Sequence, residues 1–299
     1  SLLVAGVVAA LFWSADFTGS GLPSAEAYEN ITLVTREGSR EVYDDIARIS
    51  LTPKGEILID GKENEGAETD RRTPRQEVRV HTSELVVPKG KRAHLQLSDG
   101  TRVWINSASV LRFPSAFGDT RDVFVEGEAY FEVQHDAQAP FVVSTNGLDI
   151  KVLGTRFNIR NDDSDHRITT VLLEGAVKAY ASGDEKAAVR LRPSQQLVFD
   201  TRTGAMRLTD EPSADRSINW IDGRFCFERD SFGEIVAELK RYYNVDIRFM
   251  DEALRSERFS GDFRVEDGIY HIMSVLQLTY KFTYKVVGND IEIYPNPKR

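Results

Sequence analysis

The stretch from residue 95 to residue 133 most constrains the fold, because it has the pattern of β-strands separated by specific turns. It runs LQLSDGTRVWINSASVLRFPSAFGDTRDVFVEGEAYFEV. Asp99 and Gly100 predict a hairpin, since glycine accepts the positive φ that a tight turn requires. A two-residue loop would set apolar residues against polar ones, so we predict a three-residue loop of residues 98–100 with Gly100 left-handed. This register puts four apolar side chains on one face: Leu95, Leu97, Val103 and Ile105. Trp104 then points to the other face, toward a second layer or a partner.

A second hairpin turn is indicated at Asn146 and Gly147. Here a two-residue loop suits the pattern, because it aligns apolar residues across the turn. The aligned pairs are Val143 with Ile150 and Phe141 with Val152. Alternation of this kind, broken by turn residues, continues from residue 31 to about residue 200, so this region is predicted to be mainly β-structure.

Two segments share the order strand, Glu-Gly, strand. They are VFVEGEAYFEV at residues 123–133 and VLLEGAVKAY at residues 171–180. Glycine at such a point usually marks a bulge or a close backbone approach, and two copies do not establish a solenoid. We therefore predict that both Glu-Gly pairs serve turns rather than catalysis. The β-domain is expected to be built as stacked hairpins, a sandwich or a short β-helix.

The first 13 residues, SLLVAGVVAALFW, are apolar and uncharged. A membrane-spanning helix needs about 17–25 residues, so this segment is too short to cross alone. We interpret residues 1–15 as part of a transmembrane helix, with Trp13 at the membrane interface, followed by a linker at residues 16–29. The alternative is a signal-peptide core with an Ala-Glu-Ala cleavage site at residues 25–27, which fits less well because many polar and small residues separate the two.

The pattern changes at residues 211–215, EPSAD, which mark a domain boundary. Ser231, with Glu234 three residues later, predicts a capping box at the start of a helix. Two helices are predicted, each with one apolar face. The first face is Phe232, Ile235, Val236 and Leu239, and the second is Ile269, Ile272, Met273 and Leu276. With strands on both sides of each helix, residues 216–299 are expected to form a small α+β domain with two strand–helix–strand units.

Neither the charge nor the spacing of reactive side chains points to catalysis. The net charge of −9 argues against nonspecific nucleic-acid binding, which needs a basic face. The five histidines are scattered and Cys226 is the single cysteine, so no metal site and no cofactor are predicted. Glu126 and Glu128 could serve glycoside hydrolysis, but residues two apart share a strand face by periodicity alone. No catalytic residue is assigned.

The strand-rich region resembles the FecR family of membrane-anchored anti-sigma regulators. The resemblance rests on VPKGKRAHLQLSDGTRVWINSASVLRFPSAF, VEGEAYFEV, PFVVST and VLGTRFNI, in this order, over residues 86–159. The C-terminal region, from WIDGRFCFERDSFGEIVAELKRYYNVDIRF through FSGDF to IEIYP, is similar to the C-terminal domain of FecR-type proteins in the Bacteroidetes. That domain is in turn similar to the short N-terminal signalling domain of secretins and TonB-dependent receptors.

The resemblance implies a FecR-like β-domain at residues 30–210 and a signalling-type α+β domain at residues 216–299. It implies a protein of the bacterial inner membrane that crosses once and lies mainly in the periplasm. The expected partners are the signalling domain of an outer-membrane TonB-dependent receptor, an extracytoplasmic-function sigma factor bound through a cytoplasmic region, and envelope proteases that cut near the membrane. No enzymatic activity, cofactor or nucleic-acid partner is expected.

Two other classes stay open at this point, a membrane-tethered glycan-binding β-protein and a β-sandwich hydrolase. A glycan-binding protein needs exposed, coplanar aromatic rings around a groove. A hydrolase needs two carboxylates about 5–9.5 Å apart in a cleft. A docking module needs an unpaired strand edge or an apolar patch.

The docking surface is predicted on the C-terminal domain, where short strands must leave an edge. The predicted edges are residues 244–249 and 290–294. The side chains assigned to this surface are Tyr243, Asp246, Arg248, Glu292 and Tyr294.

Overall fold

The computed structural model describes these residues: 25–35, 38–42, 44–59, 62–63, 81–162, 166–280 and 282–296. The predicted membrane helix at residues 1–15 and most of the predicted linker lie outside the described residues. Within the described ranges, no helix combines the length and the apolar character that a membrane crossing needs.

The described part of the chain up to residue 210 is almost entirely β-structure. Its strands are β1 (Ile31–Thr35), β2 (Gly38–Val42), β3 (Ile46–Leu51), β4 (Ile57–Ile59), β5 (Lys62–Glu63), β6 (Thr82–Val87), β7 (Arg92–Gln96), β8 (Arg102–Ile105), β9 (Ser109–Pro114), β10 (Arg121–Glu126), β11 (Glu128–Glu132), β12 (Phe141–Thr145), β13 (Leu148–Val152), β14 (Arg156–Asp162), β15 (Arg167–Glu174), β16 (Val177–Ala181), β17 (Val189–Leu191), β18 (Gln195–Asp200) and β19 (Met206–Asp210). Short 3-10 turns lie at Ala25–Ala27 and Glu185–Ala187.

These strands form two sheets that pack face to face. One sheet has nine strands in the order β17-β16-β13-β12-β10-β9-β6-β1-β2, and the other has ten in the order β19-β18-β15-β14-β11-β8-β7-β3-β4-β5. The chain changes sheet after every one to three strands, so consecutive hairpins stack on one another. Side chains from both sheets share one apolar core, which includes Leu95, Leu111, Phe131 and Phe141. The sequence left stacked hairpins, a sandwich and a short β-helix open. The structure is a sandwich built from stacked hairpins.

Both predicted hairpin turns are confirmed. In the first, the Leu97 amide donates to the Thr101 carbonyl at 2.8 Å, which closes a three-residue loop in which Gly100 has a φ of 87°. All four apolar side chains predicted for one face are buried. In the second turn Gly147 has a φ of 89°. Its flanking strands pair as predicted, Val143 with Ile150 and Phe141 with Val152.

The two Glu-Gly pairs lie where the chain crosses between the sheets. Gly127 separates β10 from β11 and Gly175 separates β15 from β16, with φ values of 86° and 91°. A Cβ atom at Gly127 would lie 2.3 Å from the Ser109 Oγ and 2.8 Å from the Ala108 carbonyl oxygen. The close backbone approach expected from the sequence is therefore confirmed, and it is tight enough to exclude any side chain at Gly127.

A buried arginine ties the first hairpin to the opposite sheet. Arg121 lies on β10 and is only 3% exposed. Its guanidinium donates to the Asp99 carboxylate at 2.8 Å and to the carbonyls of Ala139 and Gln134 at 2.8 and 2.7 Å. A buried charge is tolerated only when it is paired and hydrogen-bonded. Asp99 therefore neutralises Arg121 in addition to shaping its own turn.

The chain from residue 214 to residue 295 forms a second body of helices and short strands. Its elements are a 3-10 helix (Ala214–Asp222), β20 (Arg224–Ser231), α1 (Phe232–Tyr243), β21 (Ile247–Phe249), a 3-10 helix (Glu252–Ser256), β22 (Arg258–Arg264), a 3-10 turn (Val265–Asp267), α2 (Ile269–Thr279), β23 (Phe282–Val287) and β24 (Asp290–Pro295). β20 pairs with β22, and a second sheet has the order β21-β24-β23. The predicted strand–helix–strand units are β20-α1-β21 and β22-α2-β23, and the fold is that of a small α+β domain.

This second body has its own apolar core. The predicted apolar faces of both helices are confirmed, because each of their eight residues is 6% exposed or less. The ring of Phe232 lies at the centre, 4.7 Å from the ring of Phe259 and 4.9 Å from that of Phe282. The core residues do not overlap with those of the sandwich.

Ser231 caps α1, as the sequence predicts. Its hydroxyl accepts from the Glu234 amide at 3.3 Å, and the Glu234 carboxylate accepts from the Ser231 amide at 2.9 Å. Replacing Ser231 with Ala is expected to lower the free energy of unfolding by about 1 kcal/mol, because a helix N–H loses its acceptor. Urea denaturation followed by circular dichroism measures this change. Ser231→Thr keeps a hydroxyl and should lose less, so equal losses in the two variants would contradict the capping role.

Candidate docking surface

Four of the five predicted docking residues meet on one face of the three-stranded sheet. Arg248 on β21 lies opposite Glu292 on β24. The Tyr294 hydroxyl donates to Glu292 Oε2 at 2.5 Å, and Arg248 Nε donates to the Asp246 carboxylate at 2.6 Å. The alternate residues of β21 and β24 are buried on the other face: Ile247, Phe249, Ile291 and Ile293. We call the surface formed by Asp246, Arg248, Glu292 and Tyr294 the docking face.

Tyr243 is not brought to the docking face. Its hydroxyl donates to the Val265 carbonyl at 2.6 Å, and its ring centre lies 6.0 Å from that of Phe225. Burial raises the pKa of this hydroxyl well above its ordinary value. Tyr243 therefore packs inside the α+β domain, on the side where α1 meets β20.

Alternating charges cover the docking face. The Asp246 carboxylate lies 2.6 Å from both Lys240 Nζ and Arg248 Nε, and Arg248 reaches Asp290 at 2.8 Å. Hydrogen bonds from Lys240 and then from Arg248 lower the pKa of Asp246 to about 2. Exposed ion pairs contribute about 0–1 kcal/mol to stability. These charges therefore do little for folding and are free to re-pair with the charges of a partner.

The order of the strands decides which edges are open. β21 pairs with β24 in parallel and β23 pairs with β24 antiparallel, so β24 is the central strand. The prediction that residues 290–294 form an edge is wrong, because β24 pairs with β23 on one side and with β21 on the other. Among the described strands, β21 and β23 are the two that pair on one side only within this sheet. The prediction for β21 agrees with the structure, and β23 is the edge that sequence reasoning missed.

Exposed apolar side chains lie on α2 and at the end of β23. Tyr270 and Leu278 on α2 are 46% and 81% exposed, and Val286 and Val287 at the end of β23 are 47% and 52% exposed. Tyr284 on β23 contacts α2, because its hydroxyl donates to the Tyr270 carbonyl oxygen at 3.4 Å. An open edge next to exposed apolar side chains is the arrangement that accepts an added strand. In the sequence, the exposure of Leu278 was indicated only by its position, which lies outside the apolar face predicted for its helix.

The aromatic cluster on the outside of the sandwich does not have the geometry of a sugar platform. Trp104 points to the outer face, as predicted, where its ring centre lies 4.7 Å from His94 and 5.3 Å from Tyr130. The rings are tilted by 45° and 43° and are not coplanar. Tyr130 is 2% exposed and donates its hydroxyl to Glu132. The cluster therefore packs onto its own sheet rather than presenting rings to a glycan.

The two candidate carboxylates are not arranged as a catalytic pair. Glu126 ends β10 and Glu128 begins β11 in the other sheet, so the expectation that they share a strand face is wrong. Glu128 is 6% exposed, and its carboxylate accepts from the side-chain amides of Asn106 and Asn158, each at 3.0 Å. Within the described ranges, no group of three or more His, Cys, Asp and Glu side chains is arranged to hold a metal ion.

The fold is that of a two-domain protein, with a β-sandwich followed by a small α+β domain. The sequence matches the FecR protein family over residues 83–178 and the FecR C-terminal family over residues 224–293. The chain belongs to the FecR family of anti-sigma regulators. No curated protein matches it significantly.

Two crystal structures of a candidate anti-sigma factor from Parabacteroides distasonis ATCC 8503, at 1.65 and 2.50 Å resolution, are similar to this chain. Each is 27% identical with a TM-score of 0.64, and the alignments cover 71% and 72% of this chain and 98% and 99% of theirs. Family membership and this likeness support a regulatory, non-enzymatic role in the control of a sigma factor.

Proposed function

We propose that this chain is the envelope part of a single-pass inner-membrane sigma regulator, and that it receives its signal by docking the signalling domain of an outer-membrane TonB-dependent receptor. The sigma factor would be bound by a cytoplasmic region on the other side of the membrane. The observation that carries the proposal is the three-stranded sheet of the α+β domain. It has an open edge at β23, exposed apolar side chains on β23 and on the preceding helix α2, and the charged docking face on β21 and β24.

Strand addition at β23 is the docking mode that these features support best. The outward N–H and C=O groups of an edge strand supply hydrogen bonds to any extended partner, and the neighbouring side chains supply selectivity. Leu278 and Val287 would lose exposed apolar surface on binding, which favours association by roughly 25 cal/mol for each Å² buried. Lys285, on β23, lies on the charged side, with its Nζ 4.9 Å from the centre of the Tyr294 ring.

Signal output is proposed to be proteolysis near the membrane by envelope proteases. Proteases reach backbone that is exposed and unpaired. The described chain begins with a 3-10 turn in which Ala25 is 8% exposed and packs with Val86 and Val110 on the sandwich. Cleavage is therefore not expected within this packed turn, and we place it in the segment that precedes Ala25 in the chain.

Binding of the receptor's signalling domain, measured by isothermal titration calorimetry, tests the docking proposal. Leu278→Asp is expected to weaken binding at least tenfold, because it puts a charge into the apolar part of the contact. The variant should keep the wild-type melting temperature, since a side chain that is 81% exposed contributes little to folding. Arg264→Glu is the matched control, because Arg264 is an exposed residue on β22, in the other small sheet.

Removal of residues 216–299 should abolish binding while the sandwich, which has its own core, stays folded. Binding that survives this deletion would move the docking site to the sandwich. Binding that is lost on deletion but unchanged in Leu278→Asp would leave the α+β domain as the partner-binding domain and exclude the β23 edge.

A further inference from the structure

The two Glu-Gly pairs differ at the residue that follows the glycine. The first continues with Glu128 and the second with Ala176, although both glycines lie at crossings between the sheets. The turn itself therefore does not require a carboxylate after the glycine. Glu128 begins β11, and its side chain lies on the outer face of the ten-stranded sheet, because the next residue, Ala129, is buried in the sandwich core. The difference points to a role for Glu128 outside the turn.

The sandwich holds the Glu128 carboxylate in one position. Its Oε2 accepts a hydrogen bond from the side-chain amide of Asn106 and its Oε1 from that of Asn158, each at 3.0 Å. The Glu128 backbone is fixed as well, since its N–H donates to the Ser109 Oγ and its carbonyl accepts from the Asn106 N–H, each at 2.9 Å. Both asparagine amides are neutral, and a buried carboxylate also requires a positive charge beside it.

A positive charge from the other domain meets Glu128. Arg241, in the last turn of α1, has its Nη1 3.4 Å from Glu128 Oε2. Both side chains are withdrawn from water, since that of Glu128 is 8% exposed and that of Arg241 is 13% exposed. Removing one member of a buried pair leaves the other charge without a partner, which costs more than removing both. The pair therefore joins α1 to the outer face of the sandwich.

Two further contacts join the α+β part of the chain to the same sheet. Arg92, at the start of β7, donates through its Nη1 to the carbonyl oxygens of Trp220 and Ile221 at 2.6 and 3.0 Å. Its guanidinium lies 5.9 Å from the centre of the Tyr242 ring, within the range of a cation–π contact. A Cβ atom at Gly90 would lie 3.2 Å from the Tyr242 carbonyl oxygen, so the sandwich backbone closely approaches the end of α1. The α+β domain is therefore seated on the outer face of the ten-stranded sheet.

We propose that Glu128 is a positioning residue that locks the α+β domain onto the sandwich through Arg241, so that the two domains move as one rigid body. The apolar face of α1 is buried in the α+β core, so a contact at the last turn of this helix fixes the orientation of the whole domain. Arg92 holds mainly the connecting 3-10 helix (Ala214–Asp222), and that contact alone would leave the rest of the domain able to turn. A partner bound at β23 is therefore held in a fixed orientation relative to the sandwich.

A double-mutant cycle tests the lock by amide hydrogen exchange on the full chain. Glu128→Gln, Arg241→Gln and the double variant are compared with wild type, and exchange in Ala214–Asp222 reports opening of the interface. Each single variant is expected to speed this exchange at least tenfold, because it leaves one buried charge unpaired. The double variant should exchange no faster than the single variants, because neither charge remains. Exchange in the two cores should be unchanged in all three variants.

Glu126→Gln is the matched control for this cycle. Glu126 precedes the glycine of the same motif, but its side chain is 40% exposed, so the variant should exchange as wild type at the interface. Arg241→Gln leaves the sandwich sequence unchanged, and it decides the outcome if Glu128→Gln also loosens the sandwich core. Wild-type interface exchange in Arg241→Gln, additive acceleration in the double variant, or a Glu126→Gln variant that matches Glu128→Gln would each overturn the proposal. The lock does not depend on receptor binding, since these measurements use the chain alone.

Discussion

Leu97→Asp is expected to unfold the β-sandwich. Leu97 is 1% exposed and lies in the core that both sheets share. A carboxylate at this position would be buried without a partner, at a cost of several kcal/mol, against a total stability of roughly 5–15 kcal/mol for a typical domain. Thermal unfolding followed by circular dichroism should show loss of the cooperative β-sheet transition.

Gln96→Asp is the matched control for this substitution. It introduces the same carboxylate one residue earlier, at the last residue of β7, where the side chain is exposed. Its effect on stability is expected to stay within about 0.5 kcal/mol. Similar melting curves for the two variants would contradict the register of the hairpin at Asp99 and Gly100.

Gly127→Ala is expected to be the second strongly destabilising change. The new Cβ would lie 2.3 Å from the Ser109 Oγ and 2.8 Å from backbone atoms of residues 108 and 109, in addition to the strain of a φ of 86°. Because backbone cannot yield as a flexible side chain does, the crossing between the sheets must shift. We expect a loss of several kcal/mol, which for a domain of this size corresponds to roughly 2–4 °C in melting temperature for each kcal/mol.

Gly100→Ala separates the two causes of that loss. Gly100 has nearly the same φ, 87°, but a Cβ there would meet nothing within 4 Å. Only the cost of a left-handed alanine, about 1–2 kcal/mol, is expected. If the two alanine variants melt at the same temperature, the close approach at Gly127 does not contribute to the loss of stability.

Local patterns in the sequence were sufficient for much of the secondary structure. The alternation around Asp99 and Gly100 selected the loop length, and the Ser231–Glu234 spacing located the start of α1. These features depend on neighbouring residues, whose spacing along the chain is fixed by the period of a strand or helix. For the same reason, every residue of the buried faces of both helices could be predicted from the sequence.

Features set by distant parts of the chain could not be predicted in this way. The central position of β24 depends on its pairing with β21, more than 40 residues earlier in the chain. The partners of Arg121 come from two separate loops, and nothing next to it in sequence marks it as buried. The same limit applies to the docking surface. Five charged or aromatic residues were assigned to this surface and four of them share one face, but the β23 edge depends on which strand ends the sheet.

The repeated change of sheet along the chain has a consequence for how the sandwich folds. β3 pairs with β7, β1 with β6 and β11 with β8, so each sheet needs strands from well-separated segments before it can close. Neither sheet is a local unit, and a high share of non-local contacts slows folding. During synthesis the sandwich is therefore expected to stay open until nearly all of its strands are available. Its strand edges remain exposed to aggregation for longer than those of a helical domain of equal length.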